Sequence, residues 1–126
     1  MAREILFKAK RTDNGEWVHG NYINGGFIIK MNHTECIDID NNTLCQYTGL
    51  TDKNGNLIWE NDIMVAHLDD RFPEDATYTR VVWNNNGFYT KEQGSEDILP
   101  LDKFDQEYFE VCGNLFDNPE LLEVGE

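Results

Sequence analysis

The sequence predicts an all-β fold, and three observations predict it. Short runs of aromatic and β-branched residues recur along the chain, the side chains that fit a pleated surface. Glycine-containing turns separate these runs at close spacing, as in successive hairpins. The run Tyr78-Thr79-Arg80-Val81-Val82-Trp83 is almost wholly composed of strand formers.

The elements follow in order. Residues 4–10 read as a first strand, with Ile5, Phe7 and Ala9 on one face and Glu4, Leu6, Lys8 and Lys10 on the other. Asp13-Asn14-Gly15 turns the chain into Trp17–Tyr22, where Trp17 and His19 face away from Val18. Gly25-Gly26 makes the next break, Phe27–Met31 a third strand and Cys36–Ile39 a short fourth. Together these segments form a meander.

The stretch Cys45–Val65 is the organising one. Gln46-Tyr47-Thr48 favours extended backbone, Gly49 interrupts it, and Asp52-Lys53-Asn54-Gly55-Asn56 is a tight turn. Leu57-Ile58-Trp59 resumes the strand, and Glu60-Asn61-Asp62 leads into a further strand to Leu68. The turn is not an EF-hand loop. That loop needs glycine at position 6 and glutamate at position 12, whereas counting from Asp52 places Gly55 fourth and Ile63 twelfth.

Asp69–Thr77 is polar, contains Pro73 and reads as a loop. After Tyr78–Trp83, Asn84-Asn85-Asn86-Gly87 is a turn and Phe88-Tyr89-Thr90 pairs back. Glu92–Pro100 reads as irregular, with Ile98, Leu99 and Leu101 docking it on the core, and Tyr108–Cys112 as a last strand. Asn118-Pro119-Glu120 has the cap, first-turn proline and carboxylate of a helix start, for a short helix ending by Val124-Gly125.

The 126 residues suit one domain or two small lobes sharing a core, and 40% hydrophobic with 12% aromatic residues suffice to pack it. Ten Lys and Arg against 24 Asp and Glu give a net charge of −14. That balance argues against direct binding to a nucleic-acid backbone and against docking on an anionic membrane, since both require cationic groups. The charge is uneven. Through Glu60 there are six basic and eight acidic residues; from Asn61 onward there are four and sixteen. A solubilising surface is the plain reading of this asymmetry; a docking face for a basic partner, or mimicry of nucleic acid, is the sharper one.

No run approaches the roughly 20 apolar residues of a membrane span. The opening MAREILFKAK interleaves charge too closely for a secretion signal, so the cytoplasm is the expected location. Three cysteines, odd in number and without a CxxC, fit free thiols in a reducing compartment.

No motif assigns catalysis, a cofactor or a metal. His33-x-x-Cys36 is one short pair, far from a four-ligand zinc site, and His19 and His67 stand apart from it. Cys45 and Cys112 lie within strand patterns, where buried, inert thiols are the norm. No Walker or Rossmann glycine loop and no serine elbow is present. The aromatics Trp59, Tyr78, Trp83, Phe88 and Tyr89 read first as core, and second as a groove for an extended peptide.

Gln46-Tyr47-Thr48-Gly49-Leu50, Asp52, Gly55, Glu60 and Asp62-Ile63 resemble the signature of the YopX family, small proteins of bacteriophages and prophages. Asn61 stands where the family usually has glycine, and asparagine tolerates the same left-handed backbone. Arg3–Lys10 is similar to the family's opening strand and Val111–Leu122 to its close. The resemblance implies an SH3-like small barrel with added N-terminal strands, and assigns no activity. It yields a meander over residues 1–56 and a barrel with a short C-terminal helix over residues 57–126. The expected function is that of a non-enzymatic accessory protein working through protein contacts, with itself as a homo-oligomer and with a host protein, because strand edges are natural pairing surfaces. The alternative is an acidic inhibitor occupying the basic site of a host nucleic-acid-binding protein. A small hydrolase or metal enzyme ranks last.

Overall fold

The computed structural model describes residues 6–23, 27–30, 36–67, 71, 75–85 and 87–122. The fold is mainly β: the described residues form two five-stranded antiparallel sheets, one short α-helix and one 3₁₀ turn. The chain divides into two units, Met1–Gly49 and Leu50–Glu126.

The first unit holds β1 (Phe7–Arg11), β2 (Trp17–Ile23), β3 (Phe27–Lys30) and most of β4 (Cys36–Thr51). Each strand pairs antiparallel with the next, and β4 also pairs with β1, so the ladders form a cycle. Strand alternation places Ala9 and Phe7 inward, against Val18, Ile37 and Ile39, with Tyr22 and Leu44 beside them. On the other side of β1, the ammonium groups of Lys8 and Lys10 lie 4.5 and 5.5 Å from the centre of the Trp17 ring. Cation–π attraction lets that face stay polar while covering the indole.

The expected fourth strand, Cys36–Ile39, and the extended run at Gln46 are one strand of 16 residues. Asp40-Asn41-Asn42-Thr43 has the composition of a loop but makes a bulge. Lys8 pairs with Cys45 and Lys10 with Asp40, so Ala9 alone faces four residues of β4. The Thr43 hydroxyl accepts from the Lys10 N–H at 2.8 Å and donates to the Asp40 carbonyl at 2.7 Å, replacing the ladder bond that the bulge removes.

The second unit holds β5 (Leu57–Trp59), β6 (Asp62–Ala66), β7 (Thr77–Asn84), β8 (Gly87–Glu92), β9 (Ile98–Pro100), α1 (Lys103–Tyr108) and β10 (Glu110–Asn114). Strand β5 neighbours β4; the others form a sheet in the order β10-β6-β7-β8-β9. The last strand, β10, thus pairs with β6, the first strand of this sheet, and among the described residues no pairing between β9 and β10 closes the sheet into the expected SH3-like barrel. Ile58, Met64, Ala66, Val81 and Phe109 make its core, with Leu50, Phe88, Leu101 and Val111 packed around them.

Three expectations change here. Ile98–Pro100, read as irregular, is a strand paired with β8. Lys103–Tyr108 is helical, so the last strand begins at Glu110 and not at Tyr108. The helix begun at Pro119 is a 3₁₀ turn ending at Leu122, in which the Leu121 N–H donates to the Asn118 carbonyl at 3.1 Å. Gly25-Gly26, Met31, His33 and its pairing with Cys36, most of Asp69–Thr77, Asn86 and Val124-Gly125 lie outside the described residues.

Candidate functional site

Asp52 is the polar centre of the signature stretch. Its carboxylate is buried and takes four donors. Oδ1 accepts from the backbone N–H groups of Asn54 and Asn56 at 2.9 and 2.8 Å. Oδ2 accepts from the Val111 N–H at 2.8 Å and the Asn56 side-chain amide at 3.4 Å. Burial pushes its pKa up, but the Val111, Asn56 and Asn54 donors outweigh burial and hold it below the usual carboxylate value. The Lys53 N–H donates to the Phe109 carbonyl at 3.1 Å. The turn is therefore fastened to the start of β10 at both Phe109 and Val111.

The second aspartate of the signature, Asp62, is buried and accepts from the Trp59 N–H at 2.8 Å through Oδ2. It closes the turn through Glu60 and Asn61. Asn61 has φ +70°, the left-handed conformation for which glycine is the ordinary choice. Its backbone is fully used: the N–H donates to Val81 and the carbonyl accepts from Leu115. Ile63 follows with no exposure.

Earlier in the signature, Gln46 pairs with Phe7 in the ladder, and the Tyr47 N–H donates to the Leu6 carbonyl at 2.8 Å. Tyr47 is buried, and Thr48 and Leu50 are half-buried. Gly49 has φ +91°, and a Cβ there would meet nothing within 4 Å, so its requirement is conformational rather than steric. Gly55 also has positive φ, in the Asp52 turn. In the second unit, then, Asp52, Gly55 and Asp62 fix backbone geometry.

The five aromatics occupy different places. Trp59 is buried at 4% exposure. Trp83 and Phe88 are cross-strand partners whose rings meet edge to face at 4.9 Å, Phe88 reaching the core and Trp83 half in solvent. Tyr78 and Tyr89 stand one residue out of phase with them, on the other face of the sheet.

Cys36 and Cys112 are exposed and Cys45 is buried; all three are free thiols. The expectation that Cys112 is buried is thus corrected: the β10 ladder shifts register between Val111 and Gly113, which turns Cys112 outward. Partial burial of its sulfur and the Glu110 and Asp62 carboxylates raise its thiol pKa, a direction opposite to that of a reactive cysteine. His19 has its pKa lowered by burial and by Lys8. No described helix is long and apolar enough to cross a membrane.

A concave feature of the second unit lies where the inner face of β7 and β8 meets α1. It is a cavity of about 550 Å³. Thr77 and Thr79 of β7 and Thr90 of β8 line its sheet side; Leu99, Asp105 and Phe109 line the other. Helix α1 is held by a reciprocal cap: Asp102 Oδ1 accepts from the Phe104 N–H, and Asp105 Oδ2 accepts from the Asp102 N–H, each at 3.0 Å. Asp105 is only 5% exposed. Burial raises its pKa, and the adjacent Asp102 charge adds to this against two backbone hydrogen bonds that lower it. None of Thr79, Thr90 and Asp105 was singled out by sequence. The signal that could have found Asp105 is the spacing Asp102-x-x-Asp105, a capping box written with aspartates.

A family model described as YopX protein matches residues 4–123. A solved structure titled as protein EF1440 from Enterococcus faecalis is similar at a TM-score of 0.60 and 23% identity, covering 97% of this chain and all of that one. At that identity it supports the fold alone. No curated protein matches the chain.

Proposed function

The chain belongs to the YopX family, and from that premise we propose that it is a non-enzymatic accessory protein of phage or prophage type. It acts in the cytoplasm of a bacterial host through protein–protein contacts, with itself as a homo-oligomer and with a host protein. One observation carries this reading. The edge strand β9 and helix α1 expose Leu99 at 66%, Phe104 at 50% and Tyr108 at 50%. The Phe104 and Tyr108 rings meet at 4.8 Å, tilted by 37°, on one side of the helix. Grouped apolar exposure of this kind marks contact surfaces, and aromatics dominate such contacts. Pro100 has no N–H to offer at the edge of β9, so the contact is made by side chains rather than by strand addition.

Sedimentation velocity on the full chain tests this. The expected result is a concentration-dependent oligomer, converted to monomer by Leu99→Gln with Tyr108→Gln. A wild-type chain that stays monomeric across the concentration range would rule self-association out.

The charge distribution favours a second reading, an acidic mimic that occupies a host protein's nucleic-acid site, since residues 61–126 carry sixteen acidic and four basic residues. Capture from host extract at two salt concentrations separates the two. Salt-sensitive retention of a basic nucleic-acid-binding protein supports the mimic, and salt-insensitive self-assembly supports the first reading.

A further inference from the structure

The cavity beside α1 has three properties that together specify a ligand chemistry. The first is charge. Glu92, Asp97, Asp102 and Asp105 line it, and no Lys, Arg or His is among the described lining residues. A concave, low-dielectric wall of one sign concentrates field and draws the opposite charge. The second is an unmet polar group. Thr79 lines the cavity at 5% exposure, and its hydroxyl oxygen is buried without a hydrogen-bond partner. Buried hydroxyls in folded proteins are ordinarily paired, and leaving one unpaired costs about 1–3 kcal/mol. The third is an apolar wall: Leu99 and Pro100 of β9 with Phe104 and Phe109 at the two ends of α1.

These properties disfavour a bare metal ion. Among the described residues no group of three or more His, Cys, Asp or Glu side chains is placed to hold one. The carboxylates come from β8, the turn before β9 and the N-terminal end of α1, and one wall is hydrocarbon. Its size falls in the range of roughly 300–1,000 Å³ typical of sites for small organic ligands.

We propose that this cavity binds an amphiphilic organic cation, an alkylguanidinium or alkylammonium group, with its charged end among Asp97, Asp102 and Asp105 and its carbon stem against Leu99, Phe104 and Phe109. Such a group supplies what the lining lacks: positive charge for the carboxylates, N–H donors for their oxygens and for the Thr79 hydroxyl, and an apolar stem for the aromatic wall. The same chemistry is available from a free amine and from the arginine side chain of a peptide, and the test separates these sources. Leu99 and Phe104 also belong to the surface proposed above for self-association, so the two readings are tested apart: sedimentation reads assembly and the titration below reads occupancy of the cavity.

The experiment is a two-dimensional amide NMR titration of the full chain with agmatine, with acetyl-arginine amide, and with n-pentanol as a neutral control. The expected result is saturable shifts centred on Thr79, Thr90, Leu99 and Asp105 with one or both cations and none with pentanol. Tighter binding of agmatine identifies a free amine as the source, and tighter binding of the arginine amide identifies a peptide. Asp105→Asn is expected to weaken the preferred cation about tenfold, a change of about 1.4 kcal/mol. Because Asp105 also caps α1, Asp97→Asn with Thr79→Val provides a second variant that leaves the cap intact and is expected to weaken binding in the same direction. Absence of saturable shifts with either cation overturns the proposal. Equal response to pentanol, shifts scattered over the acidic surface, or undiminished binding in both variants overturns it as well.

Discussion

The Asp52 carboxylate and the Val111 backbone N–H meet at 2.8 Å across 59 positions of sequence. One side chain thereby organises its own turn and fastens that turn to β10. Asp52→Ala strips the acceptor from the Asn54, Asn56 and Val111 N–H groups together and is expected to cost roughly 3 kcal/mol. Asp52→Asn keeps one acceptor oxygen and is expected to cost about half as much. Urea midpoints of the three chains check both values, and equal midpoints for wild type and Asp52→Ala would dismiss the clasp.

Asp52 and Asp105 should respond to pH in opposite ways. The Asp52 pKa is lowered on folding, so its contribution is present above the ordinary value of 3.8 and is lost as pH falls through the lower, folded-state value. The Asp105 pKa is raised, so its contribution is present below 3.8 and is lost as pH rises through the higher, folded-state value. Asp52→Asn should therefore flatten the acid side of a plot of Tm against pH. Asp105→Asn should recover stability on the side above 3.8, since an amide oxygen still accepts from the Asp102 N–H.

Asn61 holds φ +70° with both backbone groups bonded. Asn61→Gly is expected to change stability by less than about 0.5 kcal/mol. Asn61→Val places a β-branched residue in the left-handed region and is expected to cost about 1–3 kcal/mol. Thermal unfolding of the pair provides the comparison, and equal losses would mean that the backbone angle is not what matters there.

Gly113 is required for a different reason. A Cβ at this position would stand 2.6 Å from Asn118 Oδ1, the atom that accepts from the Asn114 N–H. Gly113→Ala is expected to cost about 1–3 kcal/mol through this clash. Asn118→Ala removes the obstructing atom, so the double variant should lose less than the two single losses added, as a double-mutant cycle would register. Strict additivity would place the constraint elsewhere.

Much of the fold was legible because turns and strand formers alternate in sequence as they do in space. Asp13-Asn14-Gly15, the Asp52 turn and the Tyr78–Trp83 run each declare themselves within a few residues. What escaped had no local signature. Asp40–Thr43 reads as a break, because the hydroxyl that makes it a bulge answers to Lys10, 33 positions away. Helix α1 has six residues, too few to display an apolar period, and aspartates form its capping box. The cavity was the least legible feature of all. Thr79, Thr90 and Asp105 come from three elements, and only antiparallel pairing and the placement of α1 bring them to one cavity.

The cycle of ladders in the first unit has a consequence for how the chain is made. Phe7 finds its second neighbour only at Gln46, so the first hairpin leaves the ribosome with one flank unsatisfied. The hairpin ends at Ile23, and 23 further residues must follow before Gln46 covers that flank at Phe7. A nascent chain arrested before Gln46 has cleared the exit tunnel should be readily cleaved by protease, and one arrested well beyond it should resist. Synthesis, rather than any late docking event, then sets the moment at which this half becomes safe from aggregation.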